Sequence, residues 1–243
     1  MIDPLAEKYY SISPYAYVLN NPLKYIDPNG ESVHLNRIGD VMAEYDDDDD
    51  GVYTHDDLSK WDNESTLAKS GEGISSIGNL GGTINMKDLF ENRLAFLKEL
   101  AINMNITDFG QAVKTGSYWD LKANWNPETK KGDIWGYAWN FDEGSMNKTK
   151  FTFGGYSMTA ADVGNFHYEY TGKYTYNGSG MSDFILEAAA GAAEIGKSIS
   201  ERNYLNAVKQ SILLIHFIRP YGDRSIDNNW IRAGIQYANK SKR

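Results

Sequence analysis

The spacing of apolar residues changes once along this chain, near Thr83, and that change restricts the folds open to it. Upstream, Val33-x-Leu35 and Val41-x-Ala43-x-Tyr45 alternate with period two, as a half-buried strand does. Downstream, Phe90, Leu94, Leu97, Ala101 and Met104 recur at helical intervals and draw one apolar stripe. FTFGGYSM (151–158) and GYAWNF (136–141) read as short strands, and SGEGISSIGNLGG (70–82) reads as a flexible Gly/Ser connector. Ser182 is an N-cap candidate for a helix through ILEAAAGAAEIGKSI. Ser200 is one for a helix with Leu205, Val208, Ile212 and Ile215 as its stripe, and Asp227 for the last helix, through Trp230, Ile231, Ile235 and Ala238. The expected fold class is α+β: a β-rich, loop-rich segment followed by a mostly helical domain.

Composition removes several kinds of chemistry. The chain has no Cys, which excludes disulfides, thiol catalysis and Cys-ligated zinc. A net charge of −9 argues against a broad nucleic-acid footprint, although a local cleft can still be positive. The apolar run SILLIHFI (211–218) is too short to span a bilayer. The polar, aromatic N-terminal stretch lacks signal-peptide character, so export is expected to depend on something else.

The acidic run YDDDDDGVYTHDD (45–57) poses a charge problem, because adjacent carboxylates repel unless a cation or water separates them. From Asp46, its spacing places Asp46, Asp48, Asp50 and Asp57 at positions 1, 3, 5 and 12 of an EF-hand-type loop. Gly51 falls at the sharp turn and the Val52 carbonyl at position 7, which makes calcium a candidate ligand. Asp57 stands where that loop usually has Glu. The competing expectation is a solvated turn in a hairpin, with GVYTH returning as the second strand.

Two resemblances concern function. The segment SPYAYVLNNPLKYIDPNG, with its Tyr-x-Tyr, Asn-Asn-Pro and closing D-P-x-G, resembles the C-terminal end of the RHS repeat-associated core. That resemblance implies a parent RHS shell, an acid pair Asp3 and Asp27, and a processing site near Gly30-Glu31. The stretches YWDLK (118–122), DVGNFHYEYTG (162–172) and YGDRSIDNNWIRAGIQY (221–237), with the Ala/Gly-rich helix AAAGAAEIG between the last two, resemble the polymorphic toxin type 44 family over about residues 88–240. Glu169 stands where that family has Gly, and Arg224-Ser225 replace Asp-Pro. The organisation expected is an RHS-core remnant over 1–31, a β-rich linker region over 32–84 and an effector domain over 85–243. What is implied is a toxin used between bacteria, delivered by a secretion system and accompanied by a cognate immunity protein.

The residues leave the chemistry open. A His beside carboxylates and cations supports acid–base cleavage of a phosphodiester. The candidate set is His167, with Asp162, Glu169, Asp120, Asp223 and Asp227 orienting it or holding a metal, and Lys122 and Arg224 on the phosphate. The bland alternatives are a structural histidine at His167, helix caps at Asp120 and Asp227, and a turn aspartate at Asp223. A second class is peptidoglycan cleavage by paired carboxylates, drawn from Glu91, Asp120 and Glu169. A third is a non-enzymatic, calcium-stabilised binding module.

Overall fold

The computed structural model describes residues 31–56, 68–114, 116–143, 146–200, 202–203, 209 and 225–242, without the side chains of 193–200 and 225–228. The RHS-like segment 1–30 and the span 210–224 lie outside the described residues, as does the helix expected from Ser200 apart from residues 202–203 and 209. The fold is α+β, as the two spacings require. Seven strands form one mixed sheet in the order β2-β1-β3-β4-β5-β8-β9. They are β1 (Glu31–Asn36), β2 (Val41–Asp46), β3 (Gly51–His55), β4 (Ile74–Asn79), β5 (Thr83–Asn85), β8 (Lys150–Phe153) and β9 (Tyr156–Met158). A two-residue pair, β6 (Trp125–Asn126) and β7 (Lys131–Gly132), stands apart. The helices are α1 (Lys87–Ala101), α2 (Ile106–Val113), α3 (Ile134–Phe141), α4 (Ala160–Gly172), α5 (Asp183–Ser200) and α6 (Ser225–Ser241).

Strands β1, β2 and the β8–β9 hairpin follow the alternation read from sequence. The acidic run does not make a hairpin. β3 passes to the other side of β1 and pairs with it in parallel, Val33 opposite Val52. The run has to cross the start of β1, two strand spacings or roughly 10 Å, and a tight two-residue turn cannot do that. Asp47 fastens the crossing by accepting the Ser32 N–H at 3.2 Å. The expected connector at 70–82 contains β4, which pairs with β3 and β5. Gly78 explains why a Gly-rich stretch is needed there. Its φ is +140°, and a Cβ would lie 2.0 Å from the Thr83 carbonyl oxygen. The boundary expected at residue 84 therefore falls inside the sheet, because β5 pairs with β4 on one side and β8 on the other.

The segment read as a strand at 136–141 is a helix, and the aromatic stretch 162–172 is another. GYAWNF belongs to α3, whose N-cap Asp133 accepts the Gly136 N–H at 2.9 Å. DVGNFHYEYTG belongs to α4, which opens on a capping box between Thr159 and Asp162. Aromatic content favours strands locally, but the cap and the burial of Val163, Phe166 and Tyr170 on one stripe decide for helix. Asp162 is thereby committed to the cap. Ser182 does accept from the Ile185 N–H at 3.3 Å, as an N-cap should. Asp227 lies inside the first turn of α6 rather than at its cap.

The core joins both halves. Phe90 of α1 packs edge-on to Trp135 and Phe153 and against Phe166 of α4. Val33, Val52, Ile84, Phe151 and Ala238 share that cluster. A smaller one gathers Leu97, Phe109, Trp119, Met181 and Leu186. α4 and α6 approach so closely that a Cβ on Gly234 would sit 2.2 Å from the Phe166 carbonyl oxygen. Gly234→Ala is therefore expected to cost about 1–3 kcal/mol, the range for overpacking. Gly110 of α2 meets nothing within 4 Å, and Gly110→Ala is expected to stabilise by about 0.5–1 kcal/mol. Urea unfolding of the two variants checks the opposite signs.

Candidate functional site

The densest polar cluster starts from a charge on the apolar face of α1. Arg93 lies between Phe90 and Leu94 and is fully buried. A guanidinium removed from water needs carboxylates around it. Its Nη1 donates to Asp40 Oδ1 at 2.8 Å and to the Tyr118 hydroxyl at 3.0 Å. Its Nη2 donates to Asp133 Oδ2 at 3.3 Å. The guanidinium also lies 4.8 Å from the Tyr118 ring centre and 5.7 Å from that of Trp135.

Local structure places each partner. Asp40 sits in the β1–β2 turn, where Asn36 donates to Asp40 Oδ2 at 3.0 Å and accepts the Asp40 N–H at 2.9 Å. Asp133 caps α3 while its Oδ2 takes the Asn124 amide at 2.8 Å. Asp133 is fully buried, and burial pushes its carboxyl up to about 7 although Arg93 pulls the other way. Asp40 keeps a side-chain exposure of 30%, and Tyr118 is 45% exposed, so both face solvent. The Tyr118 hydroxyl donates to Asp40 Oδ1 at 3.5 Å. Burial raises its proton affinity, which keeps it a donor.

These groups open onto a cleft of about 760 Å³ between edge strand β2 and the β6–β7 hairpin. Asp40, Met42, Glu44, Tyr118, Asn124 and Lys130 line it. The β-bridge between Asp40 and Asp133 and the ion pair of Lys130 with Glu44 join its two sides.

The residues expected from sequence are not assembled there. His167 is fully buried in α4 with its ring against the edge of Trp119, 5.8 Å between centres. Neither ring nitrogen has a hydrogen-bond partner among the described residues. Burial, helped by the charge of Arg93, lowers its pKa to about 3, so it is neutral at physiological pH. Glu169 is equally buried, with its Cβ against Gly234. Asp162 is held in the capping box, its Oδ2 taking the Thr159 N–H and hydroxyl at 2.8 Å each. Asp120 is half-buried and accepts the Gly116 N–H at 3.0 Å. Lys122 is half-buried in a short 3-10 helix, Leu121–Ala123. Glu91 is exposed on α1 and pairs with Lys87 at 3.6 Å. Asp223 and Arg224, and the side chain of Asp227, lie outside the described residues. Arg93, Asp40, Asp133 and Asn124 escaped the sequence reading. Their one signal was a charge inside the Phe90–Met104 stripe.

The acidic run gathers a positive charge, and it is an ammonium. Lys69 Nζ pairs with Asp47 at 2.8 Å and with Asp49 at 2.5 Å, the two positions outside the calcium spacing. Among the expected ligands, Asp50 takes the Asn79 amide at 2.8 Å, Val52 is buried in β3, Asp46 ends β2 and Asp48 adopts φ +58°. Asp57 lies outside the described residues. Among the described residues no group of three or more His, Asp or Glu is placed to hold a metal ion. Behind the run, the Ser32 hydroxyl donates to Asp47 Oδ2 at 2.9 Å and lies 3.4 Å from His34 Nε2. His34 Nδ1 then meets His55 Nε2 at 2.8 Å, linking β1 to β3. That contact needs one donor and one acceptor, so both rings cannot be cationic. Burial lowers the pKa of both, that of His34 to about 4.

No family model, curated protein or solved structure matches this chain.

Two outcomes follow. Arg93→Met leaves Asp40 and Asp133 facing each other without a cation and is expected to cost about 3–5 kcal/mol by urea unfolding. His34 has a folded pKa below its unfolded value of 6.5, so its contribution is complete above about pH 6.5 and is lost as pH falls towards about 4. Its size is about 2–3 kcal/mol. Asp133, raised to about 7, works in the opposite sense, destabilising as pH rises from about 4 to 7. The stability difference between the native chain and His34→Gln is therefore expected to shrink between pH 6.5 and 4.

Proposed function

We propose that this chain is the effector end of an RHS-type polymorphic toxin and that it is a hydrolase working on a glycan in the cleft between β2 and the β6–β7 hairpin. The observation that supports this reading is one contact set: a solvent-facing carboxylate, Asp40, and a solvent-facing hydroxyl, Tyr118, held side by side by Arg93. Hydrolysis needs a group that takes a proton from water and one that gives a proton to the leaving oxygen. Asp40 suits the first role and Tyr118 the second. Asp133, buried behind them, is a positioning residue: when it holds its proton, Arg93 is left to Asp40 alone.

A glycan suits the electrostatics better than a polyanion. The chain carries −9, Arg93 is bound by two carboxylates, and Lys130 is tied to Glu44. The histidine mechanism expected from sequence needs an accessible imidazole that titrates near neutrality, and His167 is buried and neutral. Delivery to the envelope of a competitor and a cognate immunity protein belong to the same proposal.

The test is digestion of purified peptidoglycan by the purified chain, with RNA and DNA as parallel substrates. Release of soluble glycan fragments is expected, reduced at least about 100-fold by Asp40→Asn and by Tyr118→Phe. Degradation of nucleic acid, untouched by Asp40→Asn, would overturn the reading and return the chemistry to a phosphodiesterase.

A further inference from the structure

A cluster of lysines lies where the C-terminal ends of α1, α4 and α6 meet around the turn Tyr174–Gly180. Each helix brings a lysine. Lys98 Nζ lies 4.6 Å from the centre of the Tyr174 ring, and Lys242 Nζ lies 5.0 Å from the same centre. Lys173, the C-cap of α4, donates to the Met181 carbonyl at 2.9 Å and to Asp183 Oδ1 at 2.8 Å. Lys242 donates to the Gly178 carbonyl at 2.9 Å, which leaves two of its three N–H groups for a ligand.

Three ammonium groups in a chain of net charge −9 are gathered here against their mutual repulsion. Burial, with the charges of Lys173 and Lys98 added, lowers the proton affinity of Lys242. One carboxylate, Asp183, pairs with the cluster among the described residues, and helix ends supply only about half a negative charge each. The cluster is left short of neutrality.

The same turn carries exposed apolar side chains. Tyr176 is 43% exposed, and its hydroxyl accepts the Ile106 N–H at 2.9 Å. Ile106 is 49% exposed. The Tyr176 and Asn177 N–H groups tie the turn to the Met104 and Ile102 carbonyls, and the Tyr176 hydroxyl ties it to Ile106, so Ile106 and Tyr176 are fixed beside it. Cations beside exposed apolar groups match an interface that presents phosphate above hydrocarbon. A bare polyanion would use the lysines and leave Ile106 and Tyr176 without a role. No helix among the described residues is long and apolar enough to cross a membrane, so the contact would be peripheral.

We infer that the Lys98–Lys173–Lys242 cluster, with Ile106 and Tyr176, docks this protein on the surface of an anionic phospholipid bilayer. This goes beyond the hydrolase reading and does not depend on it, because the cleft and the lysine turn share no residue.

The test is sedimentation of the full chain with vesicles of phosphatidylglycerol and phosphatidylcholine, against vesicles of phosphatidylcholine alone. Binding to the anionic vesicles only is expected, weakening with added salt. Lys98→Ala with Lys242→Ala should weaken it by roughly 30-fold, at about 1 kcal/mol for each lysine. Ile106→Ser should weaken it with the charges intact. Circular dichroism confirms that both variants fold. Equal binding to both vesicle types, or no binding to either, overturns the inference. Competition by soluble polyphosphate or RNA to which Ile106→Ser is indifferent overturns it in favour of a polyanion site. Glycan digestion by the lysine variants separates this outcome from the fate of the cleft, since none of these residues lines it.

Discussion

The rest of this structure depends on one buried guanidinium. Arg93 has no access to water, and an uncompensated charge there would cost several kcal/mol. Its partners are therefore fixed in space as well as in kind. Asp40 must turn inward from the β1–β2 turn, which the Asn36 side chain secures on both sides. Asp133 must stand at the start of α3, where the same carboxyl also caps the helix. Tyr118 must lay its ring on the guanidinium and its hydroxyl against Nη1. The first turn of the sheet, the middle of α1, the start of α3 and the 118–124 loop are thus held by one side chain. The floor of the cleft is that same assembly, so the interaction that holds the fold also sets the geometry of the candidate site.

Much of the fold was legible because it rests on periodicity. Phe90, Leu94 and Leu97 marked α1, and alternation marked β1, β2 and the β8–β9 hairpin. Where the reading failed, a local signal was outweighed by another that composition hides. FHYEY looks like a strand by its aromatics, but Thr159 and Asp162 close a capping box just ahead of it. SGEGISSIGNLGG looks like a linker, but its glycines supply backbone geometry that a strand turning sharply into the next one requires. The route of β3 to the far side of β1 could not be read at all. It depends on Ser32, Asp47 and Lys69, which meet only after folding.

The site was less legible, for a related reason. Residues 40, 93, 118 and 133 are distant in sequence, and no spacing rule links them. Tyr118 lay in a stretch already singled out, and Arg93 interrupted an apolar stripe, but neither names its partner. The stretch around His167 drew notice by its chemistry and is used for packing. Phe166 offers its backbone to Gly234, and Asp162 caps the helix that carries them all. A segment rich in reactive residue types can be distinctive because two helices must touch there.

The interior handles charge in two opposite ways, and their combination separates the site from the scaffold in pH. Cations are surrounded: Arg93 by Asp40 and Asp133, Lys69 by Asp47 and Asp49. Imidazoles are kept neutral instead. His34 resists protonation down to about pH 4 and His167 down to about 3. Asp133, in contrast, gives up its proton near pH 7. Near pH 7 the folded protein therefore changes the proton occupancy of the carboxyl behind the cleft while His34 and His167 stay neutral. Arg93 holds Asp40 on Nη1 as well as Asp133 on Nη2. A carboxyl buried behind a solvent-facing one can thus be tuned without loosening the sheet that positions both.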